Sequence, residues 1–263
     1  MRRSIQAGWA ALLLLFAFGC GSSPTGPGSD QVGQQTADDL ALQTVTSMTV
    51  VGGDVQVALG GTPSAPAAGA RRVSPARAVW DTSFTMNGIT YEASRTFYDA
   101  LDNPLPGFGP LAVRLRWTGR AYGTYQGPRD TASVGHDALL DIRGIQATQD
   151  TVKLDGVCHD TLQTSFRSLD NLRHRYFFWT SSMAVDAVRL LKSTLSLGNW
   201  PIDGTVTCVV SADRLRSNSR TDVEAHFDAT VVVTFNGTSQ PDIVVNGTYR
   251  YRWNLQTGQV TRA

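Results

Sequence analysis

The stretch "DVEAHFDATVVVTF" constrains the fold more than any other part of this chain. Val223, Ala225, Phe227, Ala229, Val231, Val233 and Phe235 make one row, and Glu224, His226, Asp228, Thr230 and Thr234 make the other. Side chains alternate between the two faces of a strand, so a run this long describes a half-buried antiparallel strand. Leu111, Val113, Leu115 and Trp117 alternate in the same way with Arg114, Arg116 and Thr118. Near the C-terminus Tyr249, Tyr251, Trp253 and Leu255 alternate with Arg250, Arg252 and Asn254.

Asx-Gly pairs punctuate these runs: Asn87-Gly88, Asp155-Gly156, Asp203-Gly204, Asn236-Gly237 and Asn246-Gly247. Such pairs accept positive φ at low cost, so each marks a hairpin turn or a bulge. "SFTMNGITYEA" reads as a two-residue hairpin, and Asp155-Gly156 as a bulge inside a long strand. Between residues 79 and 263 this predicts about nine or ten strands joined by short turns. The expected class is all-β and mainly antiparallel: a curved meander sheet, a partly open barrel or a sandwich. An outer-membrane barrel fits poorly, because polar rows such as Arg114, Arg116 and Arg120 lack a matching lipid-facing band. Lysine occurs only at Lys153 and Lys192 and glutamate only at Glu92 and Glu224, which also argues against a mainly helical domain.

One helix is expected ahead of the strands. Ala41, Val45, Met48, Val55 and Leu59 fall at helical spacing within 36–60, Thr36 with Asp39 offers a capping box, and Gly52-Gly53 is a stop signal. Residues 61–78 are rich in Pro, Gly and Ala and read as a loop. Residues 20–35, which include "GSSPTGPGSD", read as a flexible tether that cannot pack.

The first nineteen residues have another character. Arg2 and Arg3 precede an apolar run from Ala7 to Phe18, followed by Gly19 and Cys20. That is the layout of a secretory signal peptide, shorter than the ~20 apolar residues a membrane helix needs. Ala17-Phe18-Gly19-Cys20 resembles the lipobox of bacterial lipoproteins. The resemblance implies cleavage before Cys20, acylation of its thiol and, with Gly21 next, sorting to the outer membrane. The implied location is the cell envelope, facing the periplasm or the cell surface.

Loss of Arg2 and Arg3 would leave 21 cations against 22 acids, so no basic surface points to nucleic acid. With Cys20 assigned to the lipid, Cys158 and Cys208 remain, in a compartment that permits disulfides. A bridge between them would close a loop of about 50 residues and stabilise the fold by roughly 4 kcal/mol. The other reading is two buried thiols.

Catalytic signatures are not found. The pairs His136-Asp137 and His159-Asp160 each place their two members on opposite faces of a strand, so neither makes a site alone. No nucleophile elbow, phosphate-cradling loop, zinc spacing or dinucleotide fingerprint occurs, and neither a cofactor nor a metal is expected. One polar group is predicted on inner rows. Arg95 shares a row with Ile89, Tyr91, Ala93 and Phe97, Asp160 with Leu154, Cys158 and Leu162, and His174 with Leu172, Tyr176 and Phe178. Buried charges need partners, so Arg95, Asp160 and His174 are candidate ligand-lining residues. Inward aromatic residues, Trp117 and Trp253 among them, would line the same interior. The expected function is a non-catalytic, lipid-anchored envelope module that works as a scaffold or binds an envelope protein. The alternative is a carrier of a lipid or other hydrophobic ligand, since one helix over a curved sheet is similar in outline to periplasmic carrier lipoproteins.

Overall fold

Nearly every alternating run of the sequence becomes a strand of one sheet. The structure is a computed structural model that describes residues 32–58, 79–86, 88–126, 130–167, 174–192, 201–215 and 223–263. The expected signal segment 1–19, Cys20, most of the tether and the loop 61–78 lie outside the described residues. The elements are α1 (Gln34–Ala58), β1 (Val79–Met86), β2 (Ile89–Tyr98), β3 (Pro104–Leu105), β4 (Arg114–Gln126), β5 (Asp130–Arg143) and β6 (Thr151–Arg167). They continue with β7 (His174–Leu191), β8 (Asp203–Leu215), β9 (Val223–Phe235), β10 (Asp242–Val245), β11 (Tyr249–Trp253) and β12 (Val260–Arg262).

All paired strands are antiparallel, and their order follows the chain from β1 to β12, with only β3 off the path, against β2. The sheet is an open meander rather than a closed barrel or a sandwich. Its twelve strands exceed the nine or ten expected because β3 and β12, two and three residues long, are too short to show a period. Met86 pairs with Ile89 where β1 turns into β2, with Asn87 of the expected turn outside the described residues, and Asn246-Gly247 lies in the turn from β10 to β11. At Asp155-Gly156 the ladder does shift register, but the extra residue is on the facing strand: Leu154 pairs with Val188 and Gly156 with Val185, so Asp155 stands opposite Asp186 and Ala187 of β7, and Ala187, at φ +52°, donates its N–H to Asp155. Gly204 on β8 faces the same β7 irregularity from the other side, where the β7–β8 register shifts between Asp186 and Arg189. Its φ is +106°, and a Cβ there would come within 2.4 Å of the Val188 backbone, so only glycine lets the strands approach.

α1 lies across the strands rather than along them. Its 25 residues span about 37 Å, and the seven inter-strand steps from β4 to β11 span about 34 Å. Its first turns meet Tyr251 on β11, and its last turns meet Gly119 on β4 and His136 on β5. Ala37, Leu40, Ala41, Thr44, Val45, Met48, Val51, Val55 and Ala58 form its buried stripe. The helix runs straight through Gly52-Gly53, so the expected stop does not operate. Two glycines inside a helix cost about 2 kcal/mol, whereas burying Val51 and Val55 beside them returns more than that, at about 1.5–3 kcal/mol each.

Three expected rows are corrected by the register. β4 begins at Arg114, and Leu111 is an exposed loop residue. Val223 is exposed because a register shift at Arg214/Leu215 interrupts the β8–β9 ladder. In "NLRHRYFFW" the buried row runs through Trp179 and not Phe178, which is exposed.

Candidate functional site

The most polar point of the buried interior lies where the C-terminal half of α1 crosses β5 and β6. The row Val134, His136, Ala138, Leu140 and Ile142 brings His136 to the inner face of β5, where it is 2 % exposed. Asp160 stands directly opposite on β6, in register. Asp54 descends from α1, one helical turn past Val51. His136 Nδ1 lies 2.5 Å from Asp160 Oδ1, and Nε2 lies 2.8 Å from Asp54 Oδ2. Gly119 makes room for this arrangement, since a Cβ there would come within 2.9 Å of both Asp54 Oδ1 and Trp117 Nε1.

Burial disfavours the imidazolium, but the hydrogen bonds to Asp160 and Asp54 and the charges behind them outweigh it, and the His136 pKa is pushed up to about 10. At neutral pH His136 therefore donates from both ring nitrogens and has no lone pair free to take a proton. Such a histidine is a poor general base and a good electrostatic rivet.

The thiols sit beside it. Cys158 and Cys208 are both free and fully buried, so the expected disulfide does not form. Cys158 pairs with Met183 and Met183 with Cys208, which sets the cysteines two strands apart. That separation is about 9.5 Å, beyond the roughly 4.4–6.8 Å between Cα atoms that a disulfide spans. Desolvation pushes the Cys208 pKa up to about 12 and raises that of Cys158 as well, so both stay un-ionised and unreactive.

Of the residues expected to share a polar spot, the structure brings only Asp160 to it. Arg95 lies on the inner face of β2 opposite Trp117, half-buried, with its guanidinium 5.7 Å from the Phe97 ring centre. Burial lowers its pKa. His174 opens β7 opposite Arg167, on the row of the exposed Phe178 and away from Asp160; its side chain lies outside the description. Trp117 and Trp253 are buried in the core, far apart across the sheet on β4 and β11. Asp54 and His136 were not expected here. The row through His136 is readable in the sequence, whereas Asp54 is concealed by the glycine pair before it.

The outer face carries an open groove of about 640 Å³ over β6 to β9. Thr161, Thr180, Ser182, Ser211, Thr230 and Asp228 are among the residues that line it, and His159 stands there too, on the face opposite Asp160. Beside it His226 lies 2.6 Å from Asp213 and 3.3 Å from Asp228, an exposed counterpart of the buried cluster. Among the described residues, no group of three or more His, Cys, Asp or Glu side chains is placed to hold a metal ion. Comparison with protein-family models, with curated proteins and with solved structures found no match.

Proposed function

We propose that this chain is a lipid-anchored protein of the bacterial cell envelope whose folded part is a non-catalytic scaffold or interaction module. The observation that carries the non-catalytic half is the geometry at His136. Both ring nitrogens of this buried histidine are taken up by carboxyl oxygens, of Asp160 at 2.5 Å and Asp54 at 2.8 Å, and so serve to fasten α1 to the sheet. The anchored half rests on the sequence: a charged start, an apolar run and the lipobox-like segment ending at Cys20. The outer face of the sheet, whose groove is lined by Thr161, Thr180, Ser182, Ser211 and Thr230 together with Val209, is then the face that α1 leaves uncovered among the described residues and that would meet a partner.

The test is to express the full chain in a bacterial host and weigh it intact, under native and denaturing conditions. Cleavage before Cys20 with the mass of attached acyl chains is the expected result. A chain that keeps residues 1–19, or is cut elsewhere with an unmodified Cys20, would overturn the anchor. Extra mass lost only on denaturation would replace the scaffold with a carrier of a hydrophobic ligand.

A further inference from the structure

The register sets a row of hydroxyls across the outer face of the sheet. Thr161 on β6, Thr180 on β7 and Ser211 on β8 stand opposite one another, and Asp228 on β9 continues the row. Strands are about 4.8 Å apart, so the row runs about 14 Å across them, within the groove of about 640 Å³. One row further, Ser182 and Thr230 flank Val209. On the other side lies the row of Gln163, Phe178, Asp213 and His226. Trp179, Ser181 and Met183 of β7 are buried, so Phe178, Thr180 and Ser182 between them share the outer face, and the Phe178 residue is 39 % exposed. His226 lies 2.6 Å from Asp213 and 3.3 Å from Asp228, which ties the two carboxylates together at one corner of the groove.

We propose that this groove binds a neutral oligosaccharide, with the Phe178 ring against one sugar and the hydroxyls and carboxylates on the sugar OH groups. The inference rests on the reading of this face as the one that meets a partner, and it names that partner by its chemistry. Composition decides against three other occupants. The core of a protein interface is rich in Arg, Met and aromatic residues and poor in Ser and Asp, whereas this groove is lined mainly by Ser, Thr and Asp. Among the described residues that line it none is Arg or Lys, and Asp228 lies in it, so a nucleic acid or other polyanion would meet repulsion and no counter-charge. A hydrocarbon chain needs an apolar pocket that encloses it, and this groove is open and polar. A sugar hydroxyl both donates and accepts, and so do Ser and Thr. Carboxylates accept more strongly still, and the C–H face of a sugar ring packs on a rigid aromatic surface.

The experiment titrates the full chain, in a detergent without a sugar headgroup, with cellohexaose, chitohexaose and maltohexaose, and with hexagalacturonate as the anionic counterpart. Heat is read by calorimetry, and circular dichroism confirms that each variant is folded. The expected result is binding of at least one neutral hexamer and none of hexagalacturonate. Phe178→Ala should weaken that binding about tenfold, and Thr180→Val should weaken it as well. Tyr122→Ala removes an aromatic residue that is 40 % exposed on β4, away from the groove, and should change nothing. Failure of all three neutral hexamers to bind overturns the proposal. So does equal binding of hexagalacturonate, or a folded Phe178→Ala chain that binds as the parent does. Two outcomes separate this inference from the reading beneath it. A bound hexamer whose mass shows cleavage keeps the saccharide site and sinks the non-catalytic reading. A chain that binds no hexamer, yet is crosslinked to an envelope protein through a photoreactive residue at position 182, sinks the saccharide and keeps the groove as the partner face.

Discussion

Charge ties both ends of α1 to the sheet, in opposite surroundings. At the N-terminal end Asp38 faces Arg262 on β12, at 3.0 and 2.5 Å, accepts from Tyr251 Oη at 2.9 Å, and is reached by Gln34 at 3.1 Å. This tie is partly open to water, with the Asp38 and Arg262 side chains 34 % and 60 % exposed. At the C-terminal end the Asp54, His136 and Asp160 side chains are more deeply buried, at 17 %, 2 % and 9 %. The two ties look alike on paper, yet their energies should differ several-fold, because water screens the first and the surrounding protein concentrates the second.

The largest effect is expected at the buried end. His136→Leu would leave two carboxylates facing each other across the core with no cation between them. Breaking a buried ion pair in this way costs about 3–5 kcal/mol, which urea unfolding followed by circular dichroism would measure. Replacing all three members by Leu should recover most of that loss, since the desolvation penalty disappears with the charges. If the single variant is as stable as the parent, the rivet is not what holds this end.

The pH dependence should carry the same signature. His136 has a folded pKa near 10 against an ordinary value of 6.5. Its contribution is complete below pH 6.5 and is lost as pH rises towards 10, by about 1.4 kcal/mol for each unit in between. Above about pH 9 the buried thiols, whose pKa values are raised from 9.0, add a loss of the same sign. The window from 6.5 to 9 therefore isolates the histidines. The pKa of exposed His226 is also raised, first by its bond to Asp213, so some slope of the same sign should survive in His136→Leu. Parallel slopes in the two proteins would remove His136 as the source.

Much of this was legible from residues alone, and the failures have physical causes. The alternation from Phe227 to Phe235 is a strand with that row buried, because a half-buried strand must repeat every two residues. The tight turn between Met86 and Ile89 follows from backbone chemistry that is local, whereas the bulge expected at Asp155-Gly156 lies across the ladder on β7, at Asp186 and Ala187. What could not be read is which strand lies beside which. Cys158 and Cys208 look like a bridge until the register inserts Met183 between them. Asp54 and His136 are 82 residues apart and meet only because α1 crosses the strands. In "RHRYFFW" five ring-bearing residues occupy both parities, so either face fits the pattern. The neighbouring strands decide.

A smaller effect should follow from Gly119→Ala, which tests the space around the rivet rather than its charge. The new methyl would sit 2.9 Å from Asp54 Oδ1 and from Trp117 Nε1, and one of them must move. Overpacking of this kind costs about 1–3 kcal/mol. The backbone φ is not in the left-handed region here, so the loss would be steric alone. Chemical shifts of the His136 ring, followed by NMR, should move in this variant; an unmoved ring would mean that the displacement is taken up by Trp117.

The smallest effect is expected at the exposed end. Arg262→Ala removes a two-pronged ion pair, but Tyr251 and Gln34 remain on Asp38, so no more than about 1 kcal/mol should be lost. The loss should shrink further in high salt, which screens exposed pairs over about 3 Å at 1 M. The pH response has the opposite sign to that of the rivet. Burial works to raise the Asp38 pKa, yet the bonds from Arg262, Gln34 and Tyr251 hold it below its ordinary 3.8. Its contribution is present above pH 3.8 and fades as pH falls, while that of His136 fades as pH rises. Hydrogen exchange can separate the two, because amides in the first turns of α1 should lose protection in acid and those in the last turns in alkali. Loss of protection along the whole helix at once, at either extreme, would show that α1 leaves the sheet as a single unit and that its two ends are not independent.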